Sequence, residues 1–204
     1  MSTLLTEPVF EMPPISTARI ENLGLGLLSI IQPEALDTPM AVDVLRAVEH
    51  VLPPLGIHVT PADPAELRDC EAVTDPSGTG PIEILVAEPV WDALLAGGRK
   101  ANRARTTVMH EVGHAVLHVP VVRRRNALPE RDQLLRRISR ADIVPYCDPE
   151  WQAFALAGCV LAPRRTLEPL AMAGHGKDSL AEIYGISTGM MTSHLKRLRL
   201  AEGR

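Results

Sequence analysis

The stretch from Thr106 to His118 reads Thr-Thr-Val-Met-His-Glu-Val-Gly-His-Ala-Val-Leu-His and constrains the fold more than any other part of the chain. Around the polar positions of this stretch, Val108, Met109, Val112, Ala115, Val116 and Val119 are apolar, as expected of a helix buried at the centre of a domain. The same stretch carries the pattern H-E-x-x-H. His110 and His114 stand one turn apart on one face, close enough to give two imidazole nitrogens to one metal ion. Glu111 flanks such an ion without ligating it, which leaves its carboxylate free to take a proton from water. Zinc (Zn2+) suits nitrogen and oxygen ligands and an open fourth position, where the pKa of water falls toward ~7. Two histidines and a glutamate buried together without an ion would leave a charge in need of partners.

With 204 residues and 46% hydrophobic content, the chain can bury a core as one domain with a small appendage. Aromatic residues make up only 3%, so that core is aliphatic. Charge is unevenly spread: residues 1–100 carry 15 acidic and 5 basic side chains, and residues 101–204 carry 10 acidic and 16 basic. Attraction between the two halves accounts for this better than an acidic partner does. The three cysteines, Cys70, Cys147 and Cys159, form neither an even set nor a C-x-x-C pair. No signal-peptide pattern opens the sequence, so a reduced, cytoplasmic setting is expected. The longest apolar run, Leu23 to Ile31, is interrupted by glycine and too short to span a bilayer, so no membrane role is expected.

In chain order, residues 1–14 hold three prolines and little periodicity and are expected to form a flexible arm. A helix is predicted from a Ser16 or Thr17 cap to Ile31, stopping at Pro33, and a second over about Pro39 to Leu52. Extended segments are predicted at Ile57 to Thr60, Glu71 to Thr74 and Ile82 to Ala87, the last two joined by the turn Asp75 to Gly80. A short helix follows from Pro89 to Ala96. A sheet edge beside a metal-binding helix can hold an extended peptide by strand addition. Ile82, Glu83, Ile84, Leu85 and Val86 are the candidate edge strand. Val119 to Arg140 carries seven arginines against Glu130 and Asp132. No aromatic residue interleaves with them, so a solvated face of an inserted helix, Pro129 to Ile138, is favoured over a nucleic-acid patch.

A catalytic zinc site usually takes three protein ligands. His118 lies ~12 Å along the helix axis from His110, too far to share an ion with it, and is read as a core residue or a support for a ligand. Glu150 is the best third ligand: Asp148 can cap a helix, Pro149 suits its first position, and Glu150 then enters an otherwise apolar face. An exposed first-turn glutamate that satisfies the helix dipole is the competing reading. Cys147, Asp148, Glu168 and Glu182 are weaker candidates. Tyr146 and His175 are candidate donors to the oxyanion that forms when water attacks a carbonyl.

His110-Glu-Val-Gly-His114-Ala-Val-Leu-His118, then Glu150-Trp-Gln-Ala153, then Val160-Leu-Ala-Pro163 together resemble the ImmA/IrrE family of zinc metallopeptidases. The family pattern is H-E-L-G-H-x-x-L-H, E-x-x-A-(Asn/Asp)-x-F-A and L-L-M-P, and the likeness extends outward over most of the chain. The resemblance implies Glu150 as third zinc ligand. It also implies a regulatory endopeptidase whose protein substrate is a repressor, often one with a helix-turn-helix. Phe154 replaces the family's polar residue one turn past the ligand Glu, Leu156 replaces Phe and Ala162 replaces Met. Phe cannot orient a ligand by hydrogen bonding, which bears on metal affinity or rate.

Ser179 to Leu200 has the outline of a helix-turn-helix, with Lys196, Arg197 and Arg199 placed for phosphates. Leu180, Ile183, Ile186, Met190, Leu195 and Leu198 give it a broad apolar face, so packing is favoured over direct DNA binding. The expected architecture is α+β and zincin-like, with a small mixed or antiparallel sheet on the H-E-x-x-H helix. It comprises a metallopeptidase domain over 15–167 and a helical extension over 168–204. The expected function is zinc-dependent peptide hydrolysis, with Glu111 as general base. The alternative is a DNA- or protein-binding regulator with a non-catalytic zinc.

Overall fold

The computed structural model describes residues 8–128, 137–139 and 142–200. At its centre is the helix carrying the H-E-x-x-H pattern, α4 (Ala101–Leu117). Eleven of its seventeen residues are buried, including Val108 on one side and His110 on the opposite one, so other elements enclose the helix. It ends at Leu117 because Pro120 has no N–H for the next helical bond. The chain restarts there as α5 (Val119–Asn126), with the proline in its first turn.

The earlier elements are α1 (Thr17–Ile31), β2 (Ile57–Ala62), β3 (Ala72–Asp75), β4 (Ile82–Ala87) and α3 (Glu88–Ala96), with a short β1 at Pro8–Phe10. The Ser16 hydroxyl accepts from Arg19 N and caps α1, as its sequence predicts. The second predicted helix is shorter than expected. It occupies only α2 (Val44–Arg46) and a π-helical turn at Ala47–Val51. Asp43 N donates to Gln32 Oε1 at 2.8 Å, and the Asp43 carboxylate then caps α2 through Arg46 N. That pair of bonds keeps residues 40–43 out of the helix.

The sheet is mixed, in the order β2-β4-β3, with β2 parallel and β3 antiparallel to β4. The expectation that Ile82, Glu83, Ile84, Leu85 and Val86 form an edge is therefore corrected: they lie in the central strand, hydrogen-bonded on both sides. Ile84, Val86 and Ala87 are buried, in keeping with a strand enclosed by neighbours. The edge beside α4 belongs to β3, whose Val73 and Asp75 are exposed while Ala72 and Thr74 are half-buried. The β3–β4 turn is held by Asp75, which accepts from Ser77 N and Ser77 Oγ. Arg123 of α5 closes it by donating to the carbonyls of Gly80 and Pro81. Part of the basic stretch thus serves the hairpin.

Of the inserted helix expected at Pro129 to Ile138, residues 129–136 lie outside the described residues. Arg137–Ser139 is instead a strand, β5, antiparallel to β1. Its partner is more than 120 positions away, a pairing that local periodicity cannot reveal. Of the expected arm, residues 1–7 lie outside the described residues. Residues 8–10 form β1, Met12 is buried, and Met12 N and Ile15 N donate to the carbonyls of Cys147 and Tyr146.

The remaining helices are α6 (Pro149–Leu161), α7 (Arg164–Met172), α8 (Lys177–Tyr184) and α9 (Thr188–Leu198). Leu180, Tyr184, Met191 and Leu195 join the same buried cluster as Leu28, Ile84, Val112 and Val160. The C-terminal segment therefore packs its apolar face into the common core. Gly185, at φ 60° between α8 and α9, occupies a left-handed conformation that glycine adopts without strain.

His194 of α9 is completely buried against α6, where Gly158 makes room: a Cβ there would lie 2.4 Å from the His194 Nδ1. The His194 Nε2 donates to the Ala162 carbonyl at 2.9 Å, so Nδ1 is left to accept from Arg197. Burial, and then the Arg197 charge, push the imidazole pKa down to about 4. A depressed histidine pKa stabilises the fold fully above the unfolded value of ~6.5, and that contribution is lost as pH falls from there toward 4. Urea unfolding is expected to show this loss, at most about 3 kcal/mol between pH 7 and pH 4, and His194→Gln is expected to remove it. Equal pH dependence in wild type and variant would show that His194 does not contribute.

Candidate metal centre

Three elements converge beside the sheet. α4 presents His110, Glu111 and His114. The N-terminal turn of α6 presents Glu150, and β3 presents Thr74. The α6 turn forms where its sequence predicts: Asp148 caps it by accepting from Glu150 N at 2.9 Å, and Pro149 occupies the first helical position. His110 is 7% and Glu111 9% exposed, while His114 and Glu150 are half-buried.

The Nε2 atoms of His110 and His114 lie 3.0 Å apart. The Glu150 carboxylate reaches both, with Oε2 3.2 Å from His110 Nε2 and Oε1 3.3 Å from His114 Nε2. Ligands ~2.0–2.1 Å from a tetrahedral ion are separated by ~3.3 Å, so these three groups fit an ion of zinc's size closely. His110, Glu111 and His114 also place ligand atoms within 4.8 Å of one another and could hold a metal ion. Between the two carboxylates, Glu150 stands nearer both ring nitrogens, whereas Glu111 Oε2 already accepts from the Thr74 hydroxyl at 2.7 Å.

Electrostatics agree with that arrangement. Burial would raise the pKa of the Glu150 carboxyl, but hydrogen bonds to His110 and His114, and the charge on those rings, hold it well below the usual carboxylate range. Burial lowers the pKa of His114, and Glu150 more than reverses this, so the net shift is upward. His118 differs: burial and the neighbouring His114 push its pKa down to about 4.

Behind the histidine pair, His118 Nδ1 lies 2.9 Å from His114 Nδ1, and His118 Nε2 lies 2.9 Å from Gln152 Oε1. In front, Phe154 lays its ring against the His110 imidazole, with centroids 4.0 Å apart. The His110 Nδ1 is buried without a hydrogen-bond partner among the described residues, and Phe154 offers none.

The centre opens on a cleft of about 340 Å³ lined by His110, Glu111, Glu71, Arg103 and Phe154. A second cleft, of about 500 Å³, shares Thr106, Phe154 and Ser187 with the first and is lined by Glu150, Trp151 and residues of α9 including Ser193 and Arg197. Neither candidate oxyanion donor lines either cleft. Tyr146 is 52% exposed and lines a separate recess with Pro14, Ile15 and Trp151, while His175 Nδ1 lies 3.2 Å from Ser179 Oγ in the α7–α8 connection. Cys147 is buried and Glu168 lies 3.8 Å from Arg164, while Glu182 lies 3.4 Å from Arg99; none accompanies the histidine pair. Sequence reasoning missed Thr74, Gln152 and the wall contributed by α9. Of these only Gln152, a fully buried amide two residues after Glu150, carried a signal, as a polar residue within an apolar helix.

Gly113, inside the motif, explains how Glu150 comes so near. A Cβ at this position would lie 2.9 Å from the Ala153 carbonyl oxygen and 3.0 Å from its Cα. Glycine therefore lets α4 and α6 approach, one turn from Glu150. Gly113→Ala is expected to force the helices apart, costing about 1–3 kcal/mol of stability and weakening metal binding. Thermal unfolding and metal titration of the variant test this; unchanged values in both would rule out a close contact.

No family model, curated protein or solved structure matches this chain.

Proposed function

We propose that this protein is a zinc-dependent endopeptidase with a zincin-like arrangement, in which His110, His114 and Glu150 hold the ion and Glu111 is the general base. The observation that carries the reading is the convergence of two imidazole Nε2 atoms and the Glu150 carboxylate at separations of 3.0–3.3 Å, beside a second carboxylate, Glu111, whose Oε2 accepts from Thr74. The donor set contains nitrogen and oxygen and no thiolate, which zinc accepts without any redox demand. When bound, the ion supplies Lewis-acid chemistry, polarising a peptide carbonyl and acidifying water.

The protein's own groups account for the remaining steps. Glu111 takes the proton from water and passes it to the leaving amine. Thr74 Oγ1 keeps that carboxylate in place, since its one proton is shared between Glu111 Oε2 and the Glu111 carbonyl, 2.7 and 3.1 Å away. The free edge of β3, next to α4, replaces β4 as the place where an extended peptide adds as a further strand. The resemblance to the ImmA/IrrE family supports the same reading and extends it to a repressor as the protein substrate.

Burial of Met190, Met191, His194, Leu195 and Leu198 on α9 disfavours direct DNA binding, because those side chains are occupied by the core. Among the described residues no helix is long and apolar enough to cross a membrane. The reading is tested by incubating the zinc-loaded chain with a mixture of synthetic peptides and with purified repressor proteins. Cleavage that requires Glu111 is the expected result. Zinc binding without any cleavage would leave a regulator with a non-catalytic ion.

A further inference from the structure

We propose that Gln152 is a positioning residue of the metal centre: acting through His118, it holds His114 in the tautomer that carries its proton on Nδ1. The Nε2 lone pair then faces His110 and Glu150. The inference rests on the proposed metal role of His114, and its hydrogen-bond logic is read from the structure alone.

Two backbone carbonyls orient the Gln152 amide. Gln152 Nε2 lies 3.0 Å from the Pro13 carbonyl oxygen and 2.8 Å from that of Tyr146. Carbonyls only accept, so the amide must turn its NH2 toward them. A flipped amide would set oxygen against two oxygens. Gln152 Oε1 is thereby aimed at His118 Nε2, which must carry a proton to bond with it at 2.9 Å. In a neutral imidazole the other nitrogen, Nδ1, is then an acceptor, and the group 2.9 Å from it is His114 Nδ1. His114 must donate from Nδ1, and its Nε2 is left bare at 3.0 Å from His110 Nε2 and 3.3 Å from Glu150 Oε1. Metal-binding histidines are commonly oriented through the other ring nitrogen, and loss of that support typically costs ~10–100-fold in affinity.

The support extends to the N-terminal segment. Met12 N and Ile15 N donate to the carbonyls of Cys147 and Tyr146, which clasps residues 12–15 against the turn before α6. Pro13 is thus held where its carbonyl can orient Gln152.

A buried His–Gln pair that only filled space would affect stability alone. Gln152→Leu keeps the volume and removes the three bonds that Gln152 makes, to His118 and to the carbonyls of Pro13 and Tyr146, so nothing fixes the His118 tautomer. Zinc titration of the full-length, metal-free chain against a competing chelator is expected to show affinity reduced ~10–100-fold, with Co2+ following the same trend. Independently, long-range 1H–15N spectra of histidine-labelled, metal-free wild type at alkaline pH are expected to show His118 protonated at Nε2 and His114 at Nδ1. The opposite tautomer of either ring would overturn the proposal, as would wild-type zinc affinity in folded Gln152→Leu. If the variant fails to fold, the wild-type spectrum decides. If wild type binds no zinc, the function proposed above fails, and the tautomers still show whether the relay exists.

Discussion

Glu111→Gln is expected to abolish peptide cleavage for practical purposes, lowering kcat/KM by ~10²–10⁴-fold while zinc stays at one ion per chain. The substitution is nearly isosteric. The new amide oxygen can still accept from the Thr74 hydroxyl, which lies 2.7 Å from Glu111 Oε2, so the side chain keeps its place. What disappears is basicity: an amide cannot take a proton from water or return it to the leaving amine. The loss corresponds to about 3–5 kcal/mol of transition-state stabilisation and should fall on kcat with little change in KM. Rates of peptide cleavage, with zinc measured by mass spectrometry on the same sample, give the comparison. A variant with the wild-type rate would remove Glu111 from the chemistry, and one that had lost its zinc would assign Glu111 to the ligand set.

His114→Ala and Glu150→Ala are expected to have the opposite signature, losing the ion and with it all activity. A four-ligand zinc site worth ~10–16 kcal/mol, shared evenly, assigns roughly 10²–10³-fold in affinity to each ligand. Glu150 has a further role. Its carboxylate is the negative charge that keeps the two imidazoles, 3.2 and 3.3 Å away, turned toward one point. Removing it leaves a buried ring, His110, and a half-buried one, His114, with no anion between them, so the geometry loosens as well as the ligand count. Zinc content after dialysis against a weak chelator should fall from one per chain to near zero in both variants. Retention in Glu150→Ala with loss in Glu111→Ala would exchange the roles of the two glutamates.

The motif helix was legible because its evidence is local. The i, i+4 spacing of His110 and His114 and the apolar residues between them refer only to helical geometry. α6 was legible for the same reason, since Asp148 and Pro149 mark its start and Glu150 follows them into an apolar run. The hairpin turn from Asp75 to Gly80 also announced itself by residue type. Each of these features is encoded within a few positions of itself.

What the sequence determined by itself, then, is the pair of imidazoles, the adjacent carboxylate and the helix that brings Glu150 to its first turn. Tertiary structure decided how these meet. It placed β4 in the middle of the sheet and β3 at the edge, because strand order depends on which distant backbones pair. It set Thr74 on Glu111, α9 beside the cleft and the Pro13 carbonyl on Gln152, contacts spanning 37 to 139 positions of chain. Hydrogen bonds of that span leave no periodicity in sequence. They exist only once Gly113 has let two helices close and the N-terminal segment has been clasped against the turn before α6.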